Sequence, residues 1–528
     1  MRRDLSSLAN STFDVLVLGG GIVGACAARD AALRGLRVAL IERDDFAGGI
    51  SWNSLKIIHG GLRSLQSLDV RQSRQFVRER RAWLTIAPHL VEPIAFVVPA
   101  RGAGAESALV MRAGLALNDI VSRDRNEGIL PSRTIPPGRR LSRAELRALA
   151  PALAAGNDPG VLFHDAQLYS AERLVMAVLG DAVRAGASIA NYAEATDPLH
   201  MGGRLSGVVV SDHETGSRFD LRASVIVNAA GASAAPVAAR LTGRANAVAP
   251  MRAIALNLML AGSASTVGMA IPAREGAALR RLFVVPWRGR TLAGTAHYPC
   301  EREPRSRDEL EPYVERFVRE LAAAWPARSL TRDDVLLVHS GMQPDLPGHG
   351  PPEHRIVDHA HDGVPQLLTA IGPKLTTSRA VAEELIDRAC ARLTLPCRPS
   401  ETAKRPLASA PAEDCSTLVA RALAANHAGL PEDVLTHLVR SYGADHQALL
   451  AMARDEPALA QRVESRSPVI AAELAYGARE EMAMRAEDLV YRRTELASTA
   501  HATPRAASVA EAQLRRSESP GGRESRRL

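Results

Sequence analysis

The chain's hydrophobic pattern opens on an apolar run, Phe13 to Leu18, rich in Val and Leu, which predicts a strand buried on both faces. Ile22 to Arg34 carries alanine at many positions and predicts a helix packed tightly on a sheet, ended by Gly35. Arg37 to Ile41 is a second apolar strand with Glu42 at its end. Residues 69–86 read as an Arg-rich amphipathic helix whose charges form a solvated face. A helix after Asp165 and Tyr169 ends at Gly186, and Ile189 to Ala195 returns as a strand. Residues 206–234 read as a hairpin, then the buried strand Ser224 to Val227 and a turn of small residues, Asn228-Ala229-Ala230-Gly231. Strand patterns alternate through 245–335, followed by the helical stretch Asp308 to Ala324. A last strand–turn–helix spans 367–389, with Pro373 at the first helical position. A Pro/Ser-rich linker covers 390–410, and 411–497 is helical throughout. Residues 1–11 and 498–528 lack an apolar period and are expected to be disordered.

Between the first strand and its helix, Gly19, Gly21 and Gly24 fall in G-x-G-x-x-G register. Gly19 permits the tight turn, Gly21 lets backbone approach a pyrophosphate, and Gly24 allows close helix–strand contact. The helix N-terminus offers free N–H groups to phosphates, and Glu42 stands where an acid accepts hydrogen bonds from a ribose diol. An acid there favours a 2′-hydroxyl, so FAD or NAD is expected rather than NADP. The loop that follows carries Gly48, Gly49, Ser51, Ser54, Lys56, His59, Gly60, Gly61 and Arg63, a candidate wall for cofactor and substrate.

Composition narrows the picture. A chain of 528 residues predicts two or three domains. The formal charge of +7 suits an anionic substrate or an anionic membrane surface, and no nucleic-acid motif accompanies it. Five cysteines with no CxxC argue against a disulfide framework or a zinc site and fit a reducing, cytoplasmic setting. No apolar run reaches the roughly 20 residues of a membrane span, so peripheral attachment to the inner face of the plasma membrane is the membrane option left open.

The segments GGGIVGACAARDAALRG, IERDDFAGG, KIIHGGLR, IAPHLVEPIAFVVP, FVVPWRGRTLAGTAHYP and LLTAIGPKLTTSRA together resemble FAD-dependent glycerol-3-phosphate dehydrogenases, flavoproteins of the D-amino-acid-oxidase type. The helical stretch 411–497 resembles the C-terminal cap of the bacterial members. The resemblance implies an α/β fold: a Rossmann-like FAD-binding domain (12–95, 151–240 and 335–392), an inserted α+β substrate domain (96–150 and 241–334) and an all-α cap. It implies oxidation of sn-glycerol 3-phosphate by hydride transfer to the flavin, with electrons leaving to a quinone or another acceptor. A homodimer is left open. It carries FAD contacts onto Ser54, Lys56, His59, Gly60, Ala195, Gly231, Gly372, Leu375 and Thr376, beside Gly19, Gly21, Gly24 and Glu42. Arg63 and Lys374 match positions that line the substrate pocket, and His297 is a candidate proton acceptor.

The substrate end departs from the family. Gln343 stands where "G-x-R-P" has its arginine, Ser64 where a tyrosine follows the HGGLR arginine, and the segment Arg252 to Asn257 lacks the family's pocket histidine. "G-T-T-D" has become Gly294-Thr295-Ala296-His297. Either the phosphate is held differently, by Arg252 or Arg288, or the enzyme is a paralogue acting on another hydroxy acid or polyol. A flavin-binding accessory protein with a degenerate pocket is the non-enzymatic alternative.

Overall fold

The computed structural model describes residues 1–518 apart from 67, 101–106, 154–158, 250, 276–277, 344–353 and 427–428. The first apolar run becomes the middle of an eight-stranded sheet. Thr12–Leu18 pairs in parallel with Val38–Ile41 on one side and Arg218–Asn228 on the other. Ser188–Ala190 and Leu367–Ile371 extend the sheet in parallel, and Arg355–Asp358 closes one edge antiparallel. Every residue from Phe13 to Leu18 is buried, as a strand covered on both faces requires. Helix Ile22–Leu33 buries Ala25, Ala27, Ala28 and Ala31 in one core with residues of Ala171–Arg184 and Ser378–Cys390. Its small side chains let both neighbouring helices come close.

A second, nine-stranded sheet meets the loops that leave the carboxyl ends of the first. Its order begins Val335–Gln343, Ala253–Leu260, Arg290–Pro299, Ala278–Trp287 and Gly268–Glu275. Val91–Pro99, Gly160–Leu168 and the short Ile57–Ile58 continue it, and Arg139–Leu141 pairs off Gly160–Leu168 as the ninth strand. Ile57–Ile58, Gly160–Leu168 and Val335–Gln343, together with Val91–Pro99 across the expected 95/96 boundary, pair in this roof and not in the first sheet. Alternation shows that a segment is a strand but not which sheet it joins. Helix Arg307–Ala324 packs Val314, Phe317 and Leu321 against Ile254, Leu256, Tyr298 and Met342 on the outer roof face.

Three other expectations change. Helix Val70–Ile86 is not merely a solvated basic face, since Glu79 pairs with Arg379 at 2.5 Å and Arg80 with Asp165 at 2.6 Å inside the protein. Pro504–Glu518, expected to be disordered, is a helix that buries Ala506 and Ala510. Its fully buried apolar positions are alanines, with only Val509 and Leu514 beside them, too weak a stripe to stand out in the sequence, and residues 519–528 lie outside the described residues. The N-terminal lead-in holds a short helix, Leu5–Ala9, anchored by buried Leu8 and an Arg3–Asp212 pair. The capping box at Ser142 and Glu145 forms as read.

His89 lies fully buried where the 390–410 segment and the C-terminal helices meet, with Nε2 3.4 Å from Ser409 Oγ. Burial first, then the nearby Arg440 and Arg133, push its pKa down to about 3. The folded protein thus keeps this histidine neutral where the unfolded chain protonates it. Its contribution is complete above about pH 6.5 and is lost as pH falls towards 3, at up to ~1.4 kcal/mol per pH unit. Urea unfolding at pH 7.5 and 5.5 is expected to show falling stability, and His89→Asn to flatten that slope.

Candidate active site

The glycine turn is shaped by what cannot be added to it. Gly19 leaves its strand at φ +108, and a Cβ there would lie 2.6 Å from Ala229 O. A Cβ on Gly24 would lie 1.9 Å from Gly19 O, so this glycine permits the helix to rest against the turn. Gly21 directly precedes helix Ile22–Leu33, where a Cβ would come 3.0 Å from Ser51 Oγ. Ser51 Oγ accepts the N–H of Ile22 at 3.0 Å. Bare backbone, a helix N-terminus and a hydroxyl therefore face one concavity, a fit for a pyrophosphate lying along the chain. Glu42, half-buried at the end of the second strand, accepts from Gly20 N at 2.7 Å and Asp44 N at 2.9 Å. Burial raises its pKa, while those two N–H bonds oppose the rise.

The other cofactor segments converge on the same strand ends. Leu18 is in register with both Ile41 and Asn228. Asn228 donates to Ala234 O at 2.8 Å and Thr369 Oγ1 at 3.3 Å, holding the turn where Gly231 adopts φ +54. Beyond Ile371 the chain turns at Gly372, φ +68, and Lys374 precedes the short 3-10 turn Leu375–Thr377. The α-helix itself starts at Ser378, later than Pro373 had suggested. Thr376 joins two distant loops, since its Oγ1 accepts His59 N at 3.0 Å and its carbonyl accepts Trp83 Nε1 at 3.0 Å. Gly60 N donates to Asp165 Oδ1 at 2.6 Å, and a Cβ on Gly60 would strike Arg80. Asp165 Oδ2 lies 3.9 Å from His59 Nδ1, and the half-buried His59 ring lies 6.3 Å from Phe283 of the roof.

The roof's inner face follows from register. Gln343, Gly341 and His339 oppose Ala253, Ala255 and Asn257, and Ala255 opposes His297. Alternation puts these residues on the face opposite the apolar Met342–Ile254–Leu256 side. This polar face packs on the loop from the glycine turn. A Cβ on Gly341 would lie 2.1 Å from Ile50, and the Trp52 and His339 rings are 5.5 Å apart. Asn257 accepts the Thr295 hydroxyl at 2.8 Å. His339 is fully buried, and burial together with the Lys56 charge drives its pKa well down, so it stays neutral. Lys374, ahead of the Leu375–Thr377 turn, holds its Nζ 5.0 Å from the centre of the Phe76 ring.

The structure gives the other expected site residues these partners. The Lys56 ammonium does not face the cofactor space; it is fully buried, 3.1 Å from Glu172 and donating to Trp52 O at 2.6 Å. Ser54 Oγ accepts Lys56 N at 3.3 Å. The Ala195 carbonyl is taken by Arg240 at 2.6 Å, and it is Ala193 N that bonds Glu42 O, at 2.8 Å. Arg288, considered as a phosphate holder, is buried in a pair with Glu495 and stacked 4.1 Å over Tyr169. Arg252 is exposed, and its N–H donates to Gln343 O at 3.1 Å. Ser64, in the tyrosine's place, is buried against Gln72 at 2.6 Å. Arg63 lies in helix Leu62–Gln66, with its side chain outside the described residues.

Sequence reasoning passed over Ser51 as the helix cap and Asp165 as the anchor of the His59–Gly60 corner. Ser51 was legible as a hydroxyl next to two glycines. Asp165 was not, because its partner Arg80 is remote in sequence.

Comparison with known proteins agrees with this geometry. Residues 14–388 match the family described as FAD dependent oxidoreductase, and residues 400–519 match the C-terminal domain of alpha-glycerophosphate oxidase. A glycerol-3-phosphate dehydrogenase of Synechocystis sp. is 33% identical over 521 residues, covering 94% of this chain and 91% of its own. The human mitochondrial glycerol-3-phosphate dehydrogenase is 31% identical, covering 92% of this chain and 68% of its own. The solved structure of the Bacillus halodurans glycerol-3-phosphate dehydrogenase complexed with FAD shares the fold, with a TM-score of 0.73 at 22% identity, covering 99% of this chain and 94% of that one.

Proposed function

This chain belongs to the FAD-dependent oxidoreductase family and is of the glycerol-3-phosphate dehydrogenase type, and from that premise we propose that it oxidises sn-glycerol 3-phosphate to dihydroxyacetone phosphate. FAD, when bound, supplies the acceptor for the hydride leaving the carbinol carbon. The observation that carries the reading is the convergence of the glycine turn, the Gly231 turn and the Gly372–Thr376 turn at one row of strand ends, beneath a polar roof. Gly19, Gly21 and the start of helix Ile22–Leu33 hold the pyrophosphate, and Glu42 holds the ribose. Lys374 and Arg63 grip the substrate's phosphate. His297, half-buried on the inner roof face, takes the hydroxyl proton. The turn before helix Ser378–Cys390 points its positive end at the same space. Electrons leave to a quinone or another acceptor.

The deciding experiment is anaerobic addition of glycerol 3-phosphate to the yellow protein. Loss of the flavin absorbance band is the expected result. Bleaching only by other hydroxy acids or polyols would move the reading to a paralogue, and reduction by dithionite alone to an accessory protein.

A membrane surface is favoured by one specific feature. Among the described residues no helix is long and apolar enough to cross a membrane. Helix Ala108–Val121, however, leaves Leu109 75% and Ile120 70% exposed, with Val110 and Leu117 also open, and Leu68 is 75% exposed on the neighbouring turn. Exposed Arg112 lies on the same helix, and exposed Arg71 and Arg78 on Val70–Ile86, which contacts it. An apolar stripe with a basic margin fits anionic lipid headgroups over an apolar layer. Wild-type protein is expected to float with phosphatidylglycerol vesicles and Leu109→Asp/Ile120→Asp to stay behind; equal flotation of both would remove the reading.

A further inference from the structure

We infer that the C-terminal helical region is a positioning part of the FAD site, with Arg493 and Arg492 clamping the 45–56 segment against the glycine turn. The clamp starts at Asp45, three residues beyond Glu42, which is 2% exposed. Asp45 accepts bonds from Arg493 Nη1 and Nη2, each at 2.7 Å, from Arg492 Nε at 2.6 Å and from Asn191 at 2.9 Å. Both arginines come from one π-helical turn, Leu489–Arg493, of the C-terminal region. That widened turn directs consecutive side chains to the same carboxylate. Burial alone would raise the Asp45 pKa, but the two guanidinium charges outweigh it and hold it low.

What Asp45 fixes is the floor of the cofactor turn. The next residue, Phe46, packs so closely on Gly20 that a Cβ there would lie 2.5 Å from its ring, and Ala47 N donates to Gly20 O at 3.0 Å. The far end of the segment is tied to the same stretch of chain. Ser498 Oγ bonds Glu172, Glu172 pairs with Lys56 at 3.1 Å, and Lys56 donates to Trp52 O at 2.6 Å. Trp52 also meets Tyr491 edge-on at 6.0 Å. Between the two ties lies Ser51, whose hydroxyl caps the helix facing the pyrophosphate concavity. Residues 491–498 thus hold both ends of a segment whose middle shapes the phosphate cradle. Without the arginines, Asp45 is left as an uncompensated buried charge, and the segment must open to hydrate it. By linkage, whatever the clamp adds to FAD affinity, FAD returns to the clamp.

The inference rests on FAD occupying the glycine turn, so flavin binding by the wild-type apoprotein is the control. Failure there would count against the cofactor reading and not against the coupling. Arg493→Gln, Asp45→Asn and the double variant are titrated with FAD by flavin-fluorescence quenching, and apoprotein folding is followed by circular dichroism. Arg493→Gln is expected to raise the Kd for FAD tenfold or more in a folded protein, and Asp45→Asn/Arg493→Gln to recover at least threefold of it. FAD is also expected to slow amide exchange in residues 489–498 of the wild type. A purely structural role would lower apoprotein Tm while leaving the Kd of the folded variant unchanged, and that result overturns the inference. Should Arg493→Gln fail to fold, the wild-type exchange comparison decides: equal exchange with and without FAD overturns it.

Discussion

Gly24→Val is expected to give a colourless protein, with FAD affinity reduced beyond ready measurement. The site differs from an ordinary helical glycine. A Cβ at residue 24 would sit 1.9 Å from Gly19 O, and that oxygen belongs to the turn itself. Backbone cannot swing aside as a flexible side chain does. Either the helix lifts away from the strand or Gly19 loses its φ of +108, and both changes break the concavity next to Ala229. Overpacking against backbone belongs among the rare substitutions that cost more than about 4 kcal/mol. Gly35→Ala is the control. Its φ is +88 but nothing lies within 4 Å of the added methyl, so the cost is limited to a left-handed alanine, ~1–2 kcal/mol, and the flavin stays. Absorbance per protein after purification separates the two variants. Full flavin content in Gly24→Val would show that the turn is not the pyrophosphate cradle.

The same turn shows how much of the molecule could be read from sequence. Strand, glycines, alanine-rich helix and terminal acid are local, and each obeys a short-range rule, so the dinucleotide end was legible. The partners that finish the site are remote. Asp45 meets Arg493 across most of the chain, Glu172 meets Ser498, and Asp165 meets Arg80. A single sequence holds no record of such pairings, and the burial of the Lys56 ammonium against Glu172 was accordingly not foreseen. Sheet membership failed for a similar reason. Val335–Gln343 has the alternation of any half-buried strand, and only its pairing with Ala253–Leu260 reveals it as roof. That pairing bears on function, because it places Gln343 on the same roof face as His297, where the substitution for the family's arginine has consequences.

Lys374→Ala is expected to lower kcat/KM for glycerol 3-phosphate by about 10- to 150-fold while leaving FAD affinity unchanged. A charge-assisted hydrogen bond to phosphate contributes ~1.5–3 kcal/mol, or about 10- to 150-fold. In this chain the load is not shared with an arginine at 343, and Arg288 is committed to Glu495. The ammonium is steered by its position ahead of the Leu375–Thr377 turn and by the Phe76 face at 5.0 Å, so its loss leaves the phosphate to the proposed Arg63 contact. FAD is spared because the cofactor contacts proposed for Leu375 and Thr376 do not run through the Lys374 side chain. The complementary change is Gln343→Arg. Gln343 is half-buried at the end of its strand, and a guanidinium there would return a cation to the inner roof face. Its expected effect is a lower KM for glycerol 3-phosphate, and in the Lys374→Ala background a partial rescue. A glycerol 3-phosphate KM indifferent to both changes, with kcat intact, would mean that the phosphate is bound elsewhere or that the natural substrate carries none.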